Sequence, residues 1–315
     1  MNHLYKRDLT NGSITGSMLR FALPLMLGNL LQQCYNIADT LIVGQVLGAE
    51  ALAAVGSSYA LIVFITSIFI GLCMGCSAVL SIQYGAKDIQ QMKQSIFSSL
   101  LIVGGTTLLL NILSLFFLSP IIKILQTPPE LEAMTYRYLF LIFLGMIPMA
   151  VYNFYAFLLR SVGNSSSPLY FLLISVALNI VLDVLFMVGL KMGVEGAALA
   201  TVISQIVSAA GIYLYTWKQF PELRLSPDDR QIDFSSIRKI ASFSYLTCMQ
   251  QSVMNLGILT VQGLVNSFGT VVMAAFAAAV KIDAFAYMPV QDFGNAFSTF
   301  IAQNYAAGQK SRVKQ

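Results

Sequence analysis

The chain has 315 residues, 57% of them apolar and 10% charged, whereas soluble domains run at about 45–50% apolar and about 25% charged. Its 18 Lys+Arg and 14 Asp+Glu are too few to coat a globule of this size in water, which excludes most soluble folds. The net charge of +4 gives no independent ground for nucleic-acid binding, because the basic residues are distributed as membrane topology requires (below).

A helix needs about 20 mostly apolar residues to cross a hydrocarbon core of about 30 Å. Long charge-free runs predict eight such helices, near 18–43, 52–80, 94–118, 133–159, 167–189, 195–217, 240–266 and 271–303. In lipid every backbone N–H and C=O must be paired within the segment, and the alternating pattern of a membrane β-barrel is absent. The fold class is therefore all-α integral membrane protein.

In chain order, the first helix carries Asn29, Gln32, Gln33, Asn36 and Asp39, spaced by three and four along one helical stripe. A charge at the bilayer centre costs about 2.5–3.5 kcal/mol on insertion scales, so Asp39 is expected to face protein or a water-filled cavity, with Tyr35 as its hydrogen-bond partner. The second helix holds Cys73-Met74-Gly75-Cys76, but no second pair follows and the only histidine is His3. Cys34, Cys73, Cys76 and Cys248 read as small apolar side chains, and neither a cofactor nor a zinc or redox site is expected. The fourth helix adds Pro148, a candidate for bending with Pro24, and the polar pair Tyr152 and Asn153. The fifth places Asn179 and Asp183 four apart, and the sixth offers Thr201, Ser204, Gln205 and Ser208 on one face. Single amides and hydroxyls commonly glue membrane helices together, whereas intramembrane carboxylates mark ion pathways or proton relays. The converging oxygens suit a proton or a hard cation such as Na⁺. The eighth helix brings Lys281, Asp283 and Asp292 around Pro289, either a structural group or a substrate contact.

Positive residues are retained on the cytoplasmic side. One set of alternate loops and ends holds fourteen Lys and Arg, Arg160 among them, against Lys123, Arg137 and Lys191 on the other. Both termini are thus expected in the cytoplasm, with the protein in the plasma membrane. The polar stretch 218–239, with Pro221, Pro227, Asp228 and Asp229, separates a six-helix unit, 1–217, from a partial second unit, 240–315. A shift of 221 residues aligns Gly48 with Gly269, Ser77 with Ser298, Tyr84 with Tyr305 and Ala86 with Ala307, the mark of a parallel duplication. A full second copy would need four more helices.

Several stretches resemble the multidrug and toxin extrusion (MATE) family of secondary antiporters. They are Phe21-Ala22-Leu23-Pro24, Tyr35-Asn36-Ile37-Ala38-Asp39-Thr40 and Ala51-Leu52-Ala53-Ala54-Val55-Gly56, then Leu159-Arg160-Ser161-Val162-Gly163-Asn164, Gly193-Val194-Glu195-Gly196 and Ala302-Gln303-Asn304-Tyr305. The likeness covers essentially the whole chain. It implies two six-helix lobes that alternate between outward- and inward-open states and export amphipathic, often cationic, compounds against H⁺ or Na⁺. By the same resemblance the cation site falls on Asp39, Asn179, Asp183 and Thr201, flanked by Tyr35 and Asn153, with Asn36 and Gln32 of the first-helix stripe beside them, and the last four family helices lie beyond this chain. The seventh helix has Gln250, Gln251, Asn255 and Gln262 but no acid, which favours coupling in the first lobe.

An intramembrane aspartyl protease would need a Gly-x-Gly-Asp motif, which is missing at both Asp39 and Asp183, so no enzyme is expected. A lipid-linked oligosaccharide flippase would need Arg or Lys in the cavity to meet pyrophosphate, and the first six helices are read as offering none there. A non-transporting fragment that folds with a partner is the remaining alternative.

Overall fold

The computed structural model describes residues 9–124, 127, 129–230, 234–266 and 270–314, with side chains described throughout except at 57, 60, 124, 252, 254–256 and 258–286. The long helices are α1 (Ile14–Leu47), α2 (Ala49–Gly85) and α3 (Ile89–Phe116), followed by the short α4 (Leu118–Ile124). Next come α5 (Pro129–Leu144), α6 (Met146–Ser161), α7 (Ser166–Asp183), α8 (Val194–Gln219), α9 (Phe234–Asn266), α10 (Thr270–Ala306) and the short α11 (Lys310–Lys314). Among the described residues, α1, α2, α3, α8 and α7 with its extension to Gly189 are long and apolar enough to cross a membrane, and α5 and α6 together form a sixth span bent by 43°. At 1.5 Å per residue, the 33 residues of α9 and 37 of α10 also exceed the thickness of a hydrocarbon core.

Helix ends follow the local chemistry. Ser13 caps α1 by accepting from the Gly16 N–H at 3.4 Å, and Asp88 Oδ1 caps α3 by accepting from Gln91 N–H at 3.0 Å. Asn164 Oδ1 accepts from Ser167 N–H at 3.0 Å at the start of α7. Such caps satisfy backbone donors that the first turn leaves open. Gly48 separates α1 from α2 at φ 88°, a conformation that favours glycine.

One predicted helix is bent at a break and another changes its winding where the sequence reading had them uniform. The fourth breaks at Gly145, where a Cβ would sit 2.7 Å from Val202 Cγ2. The backbone of α5–α6 therefore approaches α8 closely, and Pro148, lacking an N–H, leaves the ladder unpaired at the same bend. The fifth continues beyond Asp183 as a π-helical turn, Val184–Gly189, with Leu190 N–H donating to Leu185 O at 2.9 Å. Wider turns of this kind recur at functional sites, and this one directly follows a buried acid.

Apolar packing forms three clusters. Val43, Phe69, Leu139, Phe143 and Met187 join α1, α2, α5 and the π turn. Cys73, Leu80, Met92, Leu159 and Ile212 join α2, α3, α6 and α8, and Phe21, Leu25, Ala296 and Phe300 join α1 to α10. The outside is apolar as well: Leu108, Leu109 and Ile112 of α3 and Val181, Val184 and Val188 are exposed, as expected of a surface that meets lipid.

The 221-residue shift is visible in helix boundaries. Moved by 221, α2 falls on 270–306, the bounds of α10, and α1 falls within two residues of α9 at each end. The cross-contacts follow the same pattern, with α2 packed on α9 and α1 on α10. Close approach is possible because Gly71 and Gly75 face Cys248 and Ser244, with backbone where a Cβ would stand, the small-residue crossing of membrane helices. At one end of the bundle, Gln303 Nε2 donates to Ser161 O at 2.7 Å and Gln83 Nε2 donates to Ser95 Oγ at 2.7 Å.

Candidate functional site: a carboxylate pair beside a central cavity

A cavity of about 1050 Å³ opens between α1, α2, α5–α8 and the last two long helices. All five polar residues of the α1 stripe, Asn29, Gln32, Gln33, Asn36 and Asp39, line it, as expected from their spacing. Met74, Met146, Met149, Phe143 and Phe157 supply soft apolar wall, suited to dispersion contact with an amphipathic guest.

Asp39 and Asp183 lie within hydrogen-bonding reach of each other. Asp39 is on the cavity wall, whereas Asp183 is fully buried just behind it. Each keeps its Oδ1 buried without a partner. Asn179, one turn before Asp183 and 2% exposed, bridges to α8. With the amide turned to satisfy both neighbours, its nitrogen donates to Asp183 Oδ2 at 2.8 Å and its oxygen accepts from Thr201 N–H at 3.1 Å. The orientation of an amide is assigned from such partners. Ionised carboxylates are acceptors only, so two this near repel one another unless a proton or a cation lies between them.

The flanking residues divide. Tyr35 does not pair with Asp39: its hydroxyl meets Thr201 Oγ1 at 3.3 Å, because a tyrosine ring carries its hydroxyl outward from α1 to the neighbouring α8 rather than along its own helix. Asn153 lines the cavity but donates to Met149 O on its own helix at 2.9 Å. Gln32 and Asn36 line the cavity and are not hydrogen-bonded to the carboxylate pair among the described residues. Tyr138 of α5, which the sequence reading missed, is buried within electrostatic reach of Asp39, Tyr35 and Asp183. Neither periodicity nor composition marked it, since a lone tyrosine in an apolar span looks like any core aromatic.

Arg160 requires a correction. The sequence reading placed it in a cytoplasmic loop and left the cavity of the first six spans without Arg or Lys, but it lines the cavity in the last turn of α6. The span runs two residues further than its apolar run, carrying the guanidinium inside, and removing it leaves thirteen basic residues against three for orientation. Asp292 of α10 also lines the cavity, 3% exposed, and accepts from Asn29 Nδ2 at 2.6 Å. Lys281 and Asp283 fall in α10, but their side chains lie outside those described. Among the described residues no three His, Cys, Asp or Glu side chains are grouped to hold a metal ion.

A bundle of apolar helices around a central cavity with buried acids is the architecture of a membrane transporter. The MatE family model matches residues 24–185 and 247–315. The "Probable multidrug resistance protein YpnP" of Bacillus subtilis is 30% identical over 308 residues, which cover 97% of this chain and 68% of that protein. The "FAD transporter" of Shewanella oneidensis is 26% identical over 317 residues, covering 98% and 69%. A crystal structure of MATE in the bent conformation matches with a TM-score of 0.91 at 23% identity, over 97% of this chain and 68% of that one. The chain belongs to the MatE family of multi-pass transporters of the cell membrane. It spans about two thirds of the length of these relatives.

Proposed function

We propose that the chain serves a cation-coupled antiporter that exports amphipathic, often cationic, drugs and toxins, with H⁺ or Na⁺ bound between Asp39 and Asp183. The observation that carries this reading is the carboxylate pair itself: two acids from different helices, within hydrogen-bonding reach, each with a buried oxygen unpartnered, beside a cavity large enough for an organic guest. Binding a cation there joins α1 to α7, and releasing it frees them to separate. Occupancy would thereby bias an equilibrium between outward- and inward-open arrangements. Asn179 and Thr201 orient the pair.

On this reading residues 1–217 form one lobe, 218–239 a cytoplasmic connector, and 240–315 the start of a second lobe related by the 221-residue repeat. Both termini are cytoplasmic, supported by the thirteen-to-three excess of basic residues. The relatives named for multidrug resistance support the substrate class. A flippase for lipid-linked pyrophosphate fits less well: Arg160 is the one Arg or Lys on the described cavity wall, and Asp292 on the same cavity lies within its electrostatic reach.

Ethidium efflux from energised cells tests the coupling. Cells expressing the chain, and the chain joined to the remaining third of a relative, should lose efflux with D39N or D183N. Collapsing the Na⁺ and H⁺ gradients separately identifies the coupling ion. Undiminished efflux by both variants would reject the carboxylate pair as the coupling site.

A further inference from the structure

The cavity stops short of one end of the bundle. Its last lining residues toward that end are Ala78 on α2, Phe157 and Arg160 on α6, and Ser298 and Thr299 on α10. Just beyond them the same three helices close on one another. Gln303, one turn past Thr299 and fully buried, donates through Nε2 to Ser161 O at 2.7 Å. Gly85, two turns past Ala78, lies so near the Gln303 backbone that an added Cβ would overlap it. Ser161 is the last residue of α6, and no backbone N–H pairs with its carbonyl among the described residues. The Gln303 amide thus satisfies a group that a helix end leaves open. The bond joins the two units of the sequence repeat, since α2 and α6 precede the connector and α10 follows it.

A permanent floor would be served better by apolar packing, which gains from exclusion of water and loses on exposure. An amide–carbonyl bond is different, because water can replace both partners at little net cost. Gln303 Oε1, moreover, is buried without a partner and would gain one if water entered. The repeat does not duplicate the arrangement: a shift of 221 residues puts Ile82, 37% exposed, at the place of Gln303. We infer that Gln303 and Gly85 form a latch across the cavity floor, which holds this end shut and releases to open the cavity toward the end of the bundle that carries Leu9 and Arg312. The glycine admits the backbone of α10 close to α2, and the amide then hooks α10 to the end of α6. The inference rests on the alternating-access reading and deepens it, assigning closure at one end to groups outside the carboxylate pair.

The test uses Ser298, exposed on the cavity wall one turn before Gln303, as a reporter. Ser298→Cys is labelled in membrane vesicles of either orientation with a membrane-impermeant maleimide, and modification at position 298 is read by peptide mass. Gln303→Met keeps the length and bulk of the side chain but removes the donor. It should raise the labelling rate from the face that carries Leu9 and Arg312 about threefold to tenfold, without raising it from the opposite face. Gly85→Ala leaves the amide intact and wedges the helices apart, so it should give the same one-sided rise; if it elutes as aggregate, Gln303→Met decides alone. An unchanged rate from that face in Gln303→Met, or an equal rise from both faces, overturns the latch. Undiminished efflux by D39N and D183N, which rejects the coupling site, would leave a one-sided labelling result standing. Labelling from neither face in any variant would overturn the latch and the alternating-access reading together.

Discussion

Gly75 of α2 meets Ser244 of α9 backbone to backbone: a Cβ added to the glycine would overlap both Ser244 Cα and Ser244 N. Ser244 Oγ could rotate away, but the two backbone atoms cannot, so Gly75→Ala must push the helices apart. The expected cost is about 1–3 kcal/mol. Gly104 of α3 has nothing within 4 Å of its added Cβ, and Gly104→Ala should be neutral or stabilising by up to about 1 kcal/mol from helix propensity. Thermal unfolding in detergent decides: equal melting shifts for the two variants would refute the crossing.

Asn179 holds Asp183 to α8 through one amide, 2.8 Å from the carboxylate and 3.1 Å from the Thr201 N–H. Replacing it with leucine preserves bulk but leaves Asp183 without its donor. Loss of a group that orients a charged ligand typically costs about tenfold or more in ion affinity, so N179L should raise the cation concentration needed for half-maximal efflux by that order. T201V, which leaves the backbone N–H in place and removes only the contact to Tyr35 at 3.3 Å, should do less. Equal effects would place the hydroxyl, rather than the amide, at the centre of the site.

The spans and the acidic stripe were legible because their signals are local. Charge-free length marks a span, and residues three and four apart mark a face, so Asp39, Asn29 and their neighbours fall on the cavity as read. The partner of Tyr35 was not legible, since Thr201 lies 166 residues away and only packing of α1 on α8 brings it near. Arg160 was misread because a charge at the end of an apolar run has the same sequence signature whether it enters a loop or a cavity. Gly71 and Gly75 form a small-x-x-x-small pair readable in the sequence, but such a pair does not say which helix it meets. The change of winding after Asp183 has no Pro or Gly at the transition to announce it.

Acid should loosen the connector in a defined range. Asp229, outside the spans, accepts from Ser226 Oγ at 2.5 Å and Ser226 N–H at 2.8 Å, with Lys93 Nζ 3.4 Å away. Those Ser226 bonds, and then Lys93, hold its carboxyl below the usual carboxylate range. A group depressed in the fold contributes stability above its unfolded value, and that contribution is lost as pH falls through the folded value. Amide exchange in residues 218–230 should therefore stay protected through mild acid and rise only below the ordinary Asp range. D229N should be less protected at neutral pH and lose that pH dependence. The same acid response in both proteins would assign it to other groups.

Arg312 of α11 ties the two ends of the chain together. Its Nε donates to Asn304 Oδ1 at 3.0 Å, Nη1 to Gly12 O at 2.6 Å and Nη2 to Leu9 O at 3.3 Å, while the guanidinium lies 5.7 Å from the Phe300 ring centroid. Asn304 Nδ2 also donates to Leu9 O, at 3.2 Å. The segment before α1 is thus held against α10 and α11 by one planar fork, and a lysine, with a single point charge, cannot reach the same three acceptors. R312A should expose residues 9–20 to faster amide exchange, by about tenfold if the lost charge-assisted bonds contribute about 1.4 kcal/mol to that local closure. R312K should recover only part of the protection, and exchange in α8, which the fork does not touch, should remain unchanged. Full recovery by lysine would show that charge alone closes this end, and acceleration spreading into α8 would show that Arg312 supports the whole bundle rather than the local tie.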